Sequence, residues 1–242
     1  MSIEQDMKYI RANDESELIS ILSGSDIIVP GRTEGRETEH CERWTIYRLL
    51  ATLVNNSKLI FPIELIKRER PDFLLRAGGN CIGIEVTETI NPDYAKATTL
   101  PEHDVEGTVI DPSLFKWGTP RRPKNELREI VSRKKLTGPG WEGESVEIEY
   151  ANAVYDVMLT KTGKLLSESF DKFTNNWLVI YCNITLPVLD IVKGNSIFED
   201  KARDYWAADS FSSIFVEYND LFICYSQGIS EIMKLSNLWD NG

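Results

Sequence analysis

The chain has 242 residues, 42% of them hydrophobic, which is enough to fill the core of one large domain. No run approaches about 18 consecutive apolar residues, so a membrane span is not expected, and the net charge of −11 argues against a protein that coats nucleic acid without specificity. A polar N-terminus and four scattered cysteines without a CxxC pair favour a cytoplasmic protein with reduced thiols and no zinc site.

The first third of the chain predicts two helices and a hairpin. Residues 13–23 have the pattern of a short helix that ends at Gly24, and residues 38–55 carry apolar side chains at helical spacing. After the segment FPIELIKRE, Gly78 and Gly79 mark a two-residue turn, because glycine reaches the positive φ values that tight hairpin turns require. We therefore expect one strand on each side of this turn.

The middle of the chain predicts a long irregular excursion at residues 91–122, followed by a basic helix at residues 123–135. Eight basic and two acidic residues between positions 116 and 135 give this region a net charge of +6, which leaves −17 for the rest. A basic element on an acidic body could contact phosphates. The candidate nucleic-acid-binding residues are Arg121, Arg122, Lys124 and Arg128. A solvated helix face explains the same charges equally well.

The last part of the chain predicts a helix, a buried strand and a second hairpin. The helix is expected at residues 145–168, the strand at 176–183, where the run NWLVIYCN is continuously apolar, and the hairpin at 213–226. Helices and strands in this order favour an α/β fold with a mixed central sheet flanked by helices.

The first hairpin raises an electrostatic problem. If Gly78 and Gly79 form its loop, Asp72 lies directly opposite Glu85. Facing carboxylates repel each other and destabilise a sheet. A proton on one carboxyl group, an arginine between the two, or a bridging divalent cation would each relieve this repulsion. Mg²⁺ suits such a pair, because it commonly takes one or two carboxylates together with water and phosphate oxygens.

Pro71-Asp72 at the start of one strand and Ile84-Glu85-Val86 on the next strand form a short motif. The motif resembles that of the PD-(D/E)XK nuclease superfamily. This resemblance implies a metal-dependent nuclease that hydrolyses phosphodiester bonds in nucleic acid, with DNA as the expected substrate and Mg²⁺ or Mn²⁺ as the cofactor. It also implies that Asp72, Glu85 and the Val86 carbonyl are metal ligands.

The same resemblance implies a restriction-endonuclease-like αβββαβ core, which we expect at about residues 38–183. Residues 38–242 would then form a single nuclease-like domain, with an insertion at 91–140 and a C-terminal hairpin. Residues 1–37 would be an N-terminal extension. Nucleases of this superfamily are often dimers, so a homodimer is also an expectation.

The lysine of the family motif falls on Thr87, which carries no charge. Some family members take this lysine from the following helix. On the predicted helix at 145–168, Lys161 lies near the centre of the apolar stripe, which is an unusual place for a lysine. We therefore predict that Lys161 supplies the missing charge; alternatively it snorkels to water. Lys164 and Arg70 are weaker candidates.

Family members often add an acidic residue from the first helix. On a helical wheel Glu39 approaches the apolar face of the helix at 38–55, whereas Glu42 points further away, so Glu39 is the predicted additional ligand. Alternatively, Glu39 only complements the macrodipole in the first helical turn.

Two other interpretations remain open from the sequence. The loss of the motif lysine and the strong negative charge also fit a catalytically inactive binding or regulatory module with a protein partner. The third interpretation is an ordinary hairpin whose resemblance to the nuclease motif is accidental.

Overall fold

The computed structural model describes residues 7–100, 109–132, 137–206 and 210–239. Within these ranges the chain forms eight strands: β1 (Met7–Ala12), β2 (Ile63–Lys67), β3 (Phe73–Ala77), β4 (Asn80–Thr89), β5 (Asn175–Cys182), β6 (Ser213–Tyr218), β7 (Leu221–Ser226) and β8 (Ile229–Lys234). They lie side by side in one sheet in the order of the sequence. β5 is parallel to both of its neighbours, and the other pairs are antiparallel.

Six helices occur in the same described ranges: α1 (Glu15–Ser23), α2 (Thr38–Asn55), α3 (Pro92–Ala97), α4 (Lys124–Ser132), α5 (Ser145–Leu165) and α6 (Ile191–Lys201). A 3₁₀ turn spans Pro112–Leu114. None of these helices combines the length and the apolar character needed to cross a bilayer. The architecture is therefore mixed α/β, as the order of the predicted elements indicated.

Helices cover both faces of the sheet. One hydrophobic core joins α1 and α2 to side chains of all eight strands on one face of the sheet. A second core joins α5 and α6 to β5, β6 and β7 on the opposite face. A smaller third core holds α3 and α4 together within the excursion that follows β4. Because both faces are covered, the central part of β4 is buried from Ile82 to Val86.

Several predicted elements are observed close to their expected bounds. The α1 helix begins after Asp14, whose side chain accepts a hydrogen bond from the Glu17 amide at 2.9 Å, and it ends before Gly24. The α2 helix has the predicted bounds, and α5 ends at Leu165, three residues before the predicted end. The strands of both hairpins are also observed.

The prediction that residues 91–122 are irregular is wrong in two places. Residues 92–97 form α3, because Asn91 caps it by accepting a hydrogen bond from the Asp93 amide at 3.0 Å and Pro92 occupies its first turn. Residues 112–114 form the 3₁₀ turn. The basic helix predicted at 123–135 is observed as α4, and its residues 133–135 lie outside the described part of the chain.

The sequence-based division at residue 38 does not coincide with a break in the packing. Residues 1–6 lie outside the described ranges, but β1 pairs with β2, with Ile10 facing Leu65. Leu18 and Leu22 of α1 are fully buried in the first core. The described part of the expected N-terminal extension thus belongs to the same sheet and core. At the other end, β8 extends the predicted C-terminal hairpin to three strands.

Candidate functional site

The Gly78-Gly79 turn produces the register that the sequence predicted. Both glycines have positive φ values, 55° and 82°, and Ala77 pairs with Asn80. The pairing continues to Phe73 with Ile84, and one further step places Asp72 opposite Glu85. Asp72 lies just outside β3, where its Oδ2 atom accepts a hydrogen bond from the Val86 amide at 2.7 Å. The two carboxylates therefore belong to one site at the end of the hairpin ladder.

Lys161 reaches this site from α5. Its Nζ atom lies 2.7 Å from Glu85 Oε1, although the two residues are 76 positions apart. Both side chains are nearly buried, with exposed fractions of 10% for Glu85 and 14% for Lys161. The lysine at the centre of the apolar stripe thus points to the sheet. Its ammonium group contacts the Glu85 carboxylate of β4 and does not extend into water, as the alternative interpretation had it.

The strand face that carries Glu85 is closely covered beside the site. A Cβ atom added at Gly83 would lie only 2.7 Å from the Phe173 ring and 3.1 Å from the Pro71 side chain. Glycine at this position therefore allows the residues around Pro71 to approach β4. This approach brings Asp72 within hydrogen-bonding distance of the next part of that strand.

The Asp72 carboxyl group has an unusual proton affinity. Its pKa is raised from 3.8 to about 7, mainly because burial removes it from water and secondly because the charges of Glu85 and Glu42 lie nearby. The Val86 amide and the Lys67 ammonium oppose this effect without cancelling it. Burial and the neighbouring carboxylates thus give this carboxyl group a raised affinity for a proton.

Glu42 is the acidic residue of α2 that reaches the site, and sequence reasoning assigned that role to Glu39. The Glu42 Oε2 atom lies 2.6 Å from Lys67 Nζ, and Lys67 also lies 3.4 Å from the Asp72 carbonyl oxygen. Glu39 is exposed, and its charge acts on Tyr9 of β1. The sequence contained no signal for the Glu42–Lys67 pair, because it depends on how α2 rotates on the sheet.

A cleft of about 430 Å³ adjoins the acidic residues. The first half of α2, the last half of β4, α3 and β5 contribute its walls, and Glu42 and Val86 are shared with the site around Asp72. Thr87, at the position of the family lysine, also lines this cleft. Lys164 and Arg70 are exposed, and neither is ion-paired with Glu85 or Asp72 within the described ranges.

The predicted nucleic-acid-binding residues lie on the excursion after β4. Arg121 is ion-paired with the buried Asp93 at 2.7 Å, and Arg122 stacks over Phe115 with its guanidinium carbon 5.0 Å from the ring centre. Lys124 and Arg128 of α4 are exposed. The two arginines at 121 and 122 therefore have structural partners, and the role of all four residues in binding stays a prediction.

No group of three or more His, Cys, Asp or Glu side chains stands close enough to hold one metal ion in the part of the chain that the structure describes. The structure brings the Asp72 and Glu85 carboxylates together, and the Val86 carbonyl group stays a predicted ligand. The predicted metal ligand Glu39 does not join them.

Comparison of the sequence with protein-family models found no match. Searches of curated proteins and of solved structures likewise found no similar protein.

Proposed function

We propose that this protein is a metal-dependent nuclease of the PD-(D/E)XK type, which hydrolyses phosphodiester bonds in nucleic acid, with DNA as the expected substrate. The order of the elements supports this proposal. The series α2, β2, β3, β4, α5, β5 runs helix, three strands, helix, strand, which is the order of a restriction-endonuclease-like core. The excursion with α3 and α4 interrupts the series between β4 and α5.

The observation that carries the proposal is the meeting of Asp72, Glu85 and Lys161 at one end of the hairpin. Two carboxylates on neighbouring strands and one lysine are the groups that metal-assisted phosphodiester hydrolysis needs. The raised pKa of Asp72, which burial causes first and the nearby Glu85 and Glu42 charges second, supports a site where a bound cation would offset negative charge.

The available donors suit Mg²⁺ or Mn²⁺. In the described structure, Asp72 uses Oδ2 for the Val86 amide and Glu85 uses Oε1 for Lys161, which leaves one oxygen of each carboxylate for a cation. The Val86 carbonyl group is a third oxygen donor, and hard oxygen ligands are those that Mg²⁺ prefers. When bound, the ion would lower the pKa of a water molecule and stabilise negative charge on a phosphate.

Lys161 has two tasks in this proposal. Its ammonium group holds the Glu85 side chain in position by a charge-assisted hydrogen bond of 2.7 Å. The same group stabilises negative charge that develops on the phosphate oxygens during displacement, because it is fixed in a largely buried position. It thereby takes over the task for which Thr87 has no suitable group.

The metal site is tested by thermal unfolding with and without Mn²⁺, together with cleavage assays on DNA and RNA. We expect Mn²⁺ to raise the unfolding temperature of the wild type and to have no effect on Asp72→Asn. Asp200→Asn, a change of the same kind at an exposed position of α6, should retain the full shift. A wild type that neither responds to Mn²⁺ or Mg²⁺ nor cleaves any nucleic acid would contradict the proposal.

A second candidate function is a binding or regulatory module that has kept the fold without the chemistry. It is favoured by the absence of a three-residue ligand cluster among the described side chains and by the Lys161 ion pair, which already neutralises Glu85. In that case Lys161→Met would lower stability without affecting any nuclease activity. A protein partner captured by a wild type that lacks cleavage activity would support this alternative.

A further inference from the structure

The cleft beside the candidate site contains a concentration of positive charge that the acid pair does not explain. Arg32 and Arg36 precede α2, and Lys96 lies on α3; all three line the cleft. The volume of about 430 Å³ is within the range of sites that enclose small molecules or parts of larger ones. The cleft is connected to the site around Asp72 by Glu42 and Val86, which line it, whereas Asp72, Glu85 and Lys161 are not among its lining residues.

The two arginines converge on a single carboxylate oxygen. Arg32 Nη2 lies 2.7 Å from Glu88 Oε1, and Arg36 Nη2 lies 3.1 Å from the same atom. Asn183 Nδ2 donates a third hydrogen bond to that oxygen at 2.6 Å. One carboxylate thus orients two guanidinium groups and neutralises only one of them. Three basic residues (Arg32, Arg36 and Lys96) and three acidic residues (Glu37, Glu42 and Glu88) line the cleft. Because Glu42 is paired with Lys67, one positive charge remains that an anionic ligand would balance.

The cleft wall also contains a polar group without a partner. Thr45 of α2 lines the cleft and is fully buried, and its hydroxyl group has no hydrogen-bond partner in the described structure. Buried polar groups are nearly always hydrogen-bonded, so a ligand oxygen or an ordered water would complete this position. Glu42, the acidic neighbour, is already paired with Lys67 and therefore repels an anion only weakly.

From these observations we infer that the cleft binds the phosphate backbone of a nucleic-acid strand, with Arg32 and Arg36 on one phosphate and Lys96 on the opposite wall. The choice of ligand rests on the proposed nuclease function. Val86 connects the two places, because its amide bonds Asp72 and its residue lines the cleft, so a strand with its scissile phosphate at Asp72 would reach the cleft past Val86. Arginine suits this contact, since its planar group donates two parallel hydrogen bonds to phosphate.

The test compares the wild type with the double variant Arg32→Gln/Arg36→Gln. Binding of a fluorescent DNA oligonucleotide, in single-stranded and in duplex form, is measured by fluorescence anisotropy. The measurements are made in Ca²⁺ at a series of salt concentrations. We expect affinity to fall at least tenfold and the steepness of log affinity against log salt to decrease by about 0.9 for the duplex and about 0.7 for the single strand, as expected for the loss of one phosphate contact. The control is Arg203→Gln, which removes one positive charge from an exposed position just after α6. Its affinity and salt slope should equal those of the wild type.

A second variant tests the cleft in case the double variant does not fold. Lys96→Gln changes an exposed side chain that makes no ion pair within the described ranges, and it should weaken binding and decrease the salt slope by about as much as the double variant, because it also removes one phosphate contact. Unchanged binding in both the double variant and Lys96→Gln would overturn the inference. Arginine-dependent binding of inorganic phosphate, in a protein whose oligonucleotide binding does not depend on these arginines, would point to a free-phosphate site and would also overturn it.

The outcomes separate this inference from the proposed nuclease function. Arginine-dependent binding of the oligonucleotide in a protein without any Mn²⁺ response or cleavage would support the cleft and contradict the nuclease. An Asp72-dependent Mn²⁺ shift and cleavage in a protein whose DNA binding ignores Arg32, Arg36 and Lys96 would support the nuclease and contradict the cleft.

Discussion

Two buried acid–base pairs lie on the sheet of this protein, and they differ in a way that sets the candidate site apart. Glu217 of β6 is paired with Arg48 of α2 at 2.8 Å in the first core, and Glu85 of β4 is paired with Lys161 of α5 on the opposite face. Both carboxylates are less than a tenth exposed. Burial and an ion pair are therefore common to both places.

The difference lies in the number of carboxylates. Burial raises the pKa of Glu217 to about 7, and Arg48 is the charged side chain that opposes this shift among the residues that the structure describes. Beside Glu85 stands Asp72, whose pKa is also about 7 because of burial and because two further carboxylates act on it. This second place also opens to the cleft through Glu42. An excess of buried acids over bases, and not burial alone, marks the candidate site.

The largest effect is expected from Lys161→Ala on nuclease activity. Removing a fixed positive group that stabilises charge in the transition state commonly costs about 10²- to 10³-fold in rate. Lys164→Ala, on the exposed side of the same helix, should leave the rate unchanged. Initial rates of cleavage of a labelled DNA substrate measure both, and equal rates for Lys161→Ala and the wild type would remove Lys161 from the site.

The Arg48–Glu217 pair should respond in stability alone. Arg48→Met leaves the Glu217 carboxylate buried without a counter-charge, which costs about 3–5 kcal/mol of unfolding free energy. The loss should be smaller at pH 5 than at pH 8, because Glu217 with a pKa of about 7 is then protonated. Urea unfolding at the two pH values provides the comparison. A Mn²⁺ shift that disappears in folded Arg48→Met would show that this pair also belongs to the functional site.

Asp72→Asn should raise the free energy of unfolding, whereas Arg48→Met lowers it. The raised pKa means that the folded protein binds a proton more tightly than the unfolded chain, so the wild type loses stability as pH rises from about 4 to about 7. Asparagine removes this loss. The variant should exceed the wild type by up to about 4 kcal/mol above pH 7 and match it near pH 4. Unfolding in EDTA over this pH range measures the difference, and parallel curves would refute the raised pKa.

Gly83→Ala should have the smallest effect of these variants, a modest loss of unfolding free energy. The new methyl group must displace Phe173 and Pro71, and overpacking of this kind typically costs about 1–3 kcal/mol. Because Pro71 precedes Asp72, the Mn²⁺ shift should weaken as well. Gly163→Ala, at a helical position with open space around it, is the matched control and should be neutral or stabilising. Thermal unfolding with and without Mn²⁺ distinguishes the two, and equal stability would indicate a looser wall beside the site.

Local signals in the sequence predicted much of the candidate site. The Gly78-Gly79 turn fixed the hairpin register and hence the pairing position of Asp72 and Glu85, because a two-residue loop allows few alternatives. Helical periodicity predicted that Lys161 faces the sheet, because residues three and four apart share a helix face. In both cases the deciding interactions lie within about ten residues of the position concerned.

Other parts depended on contacts between distant segments. Glu42 meets Lys67 only because α2 packs on the sheet in one rotation, and Arg32 and Arg36 meet Glu88 across more than 50 residues. β1 was missed because its partner β2 lies some 50 residues further along the chain. β8 was missed because it is largely exposed at the edge of the sheet and lacks a buried apolar pattern.

The sequence by itself determined the α/β class, most helices and strands, and the facing acids of the first hairpin, since backbone turns and side-chain periodicity act over short range. Only the tertiary structure decided which charges face one another: Lys161 on Glu85, Lys67 on Glu42, and two arginines on Glu88. The physical reason is that electrostatic partners are chosen by the packing of whole elements, in which one helix rotation exchanges one carboxylate for another.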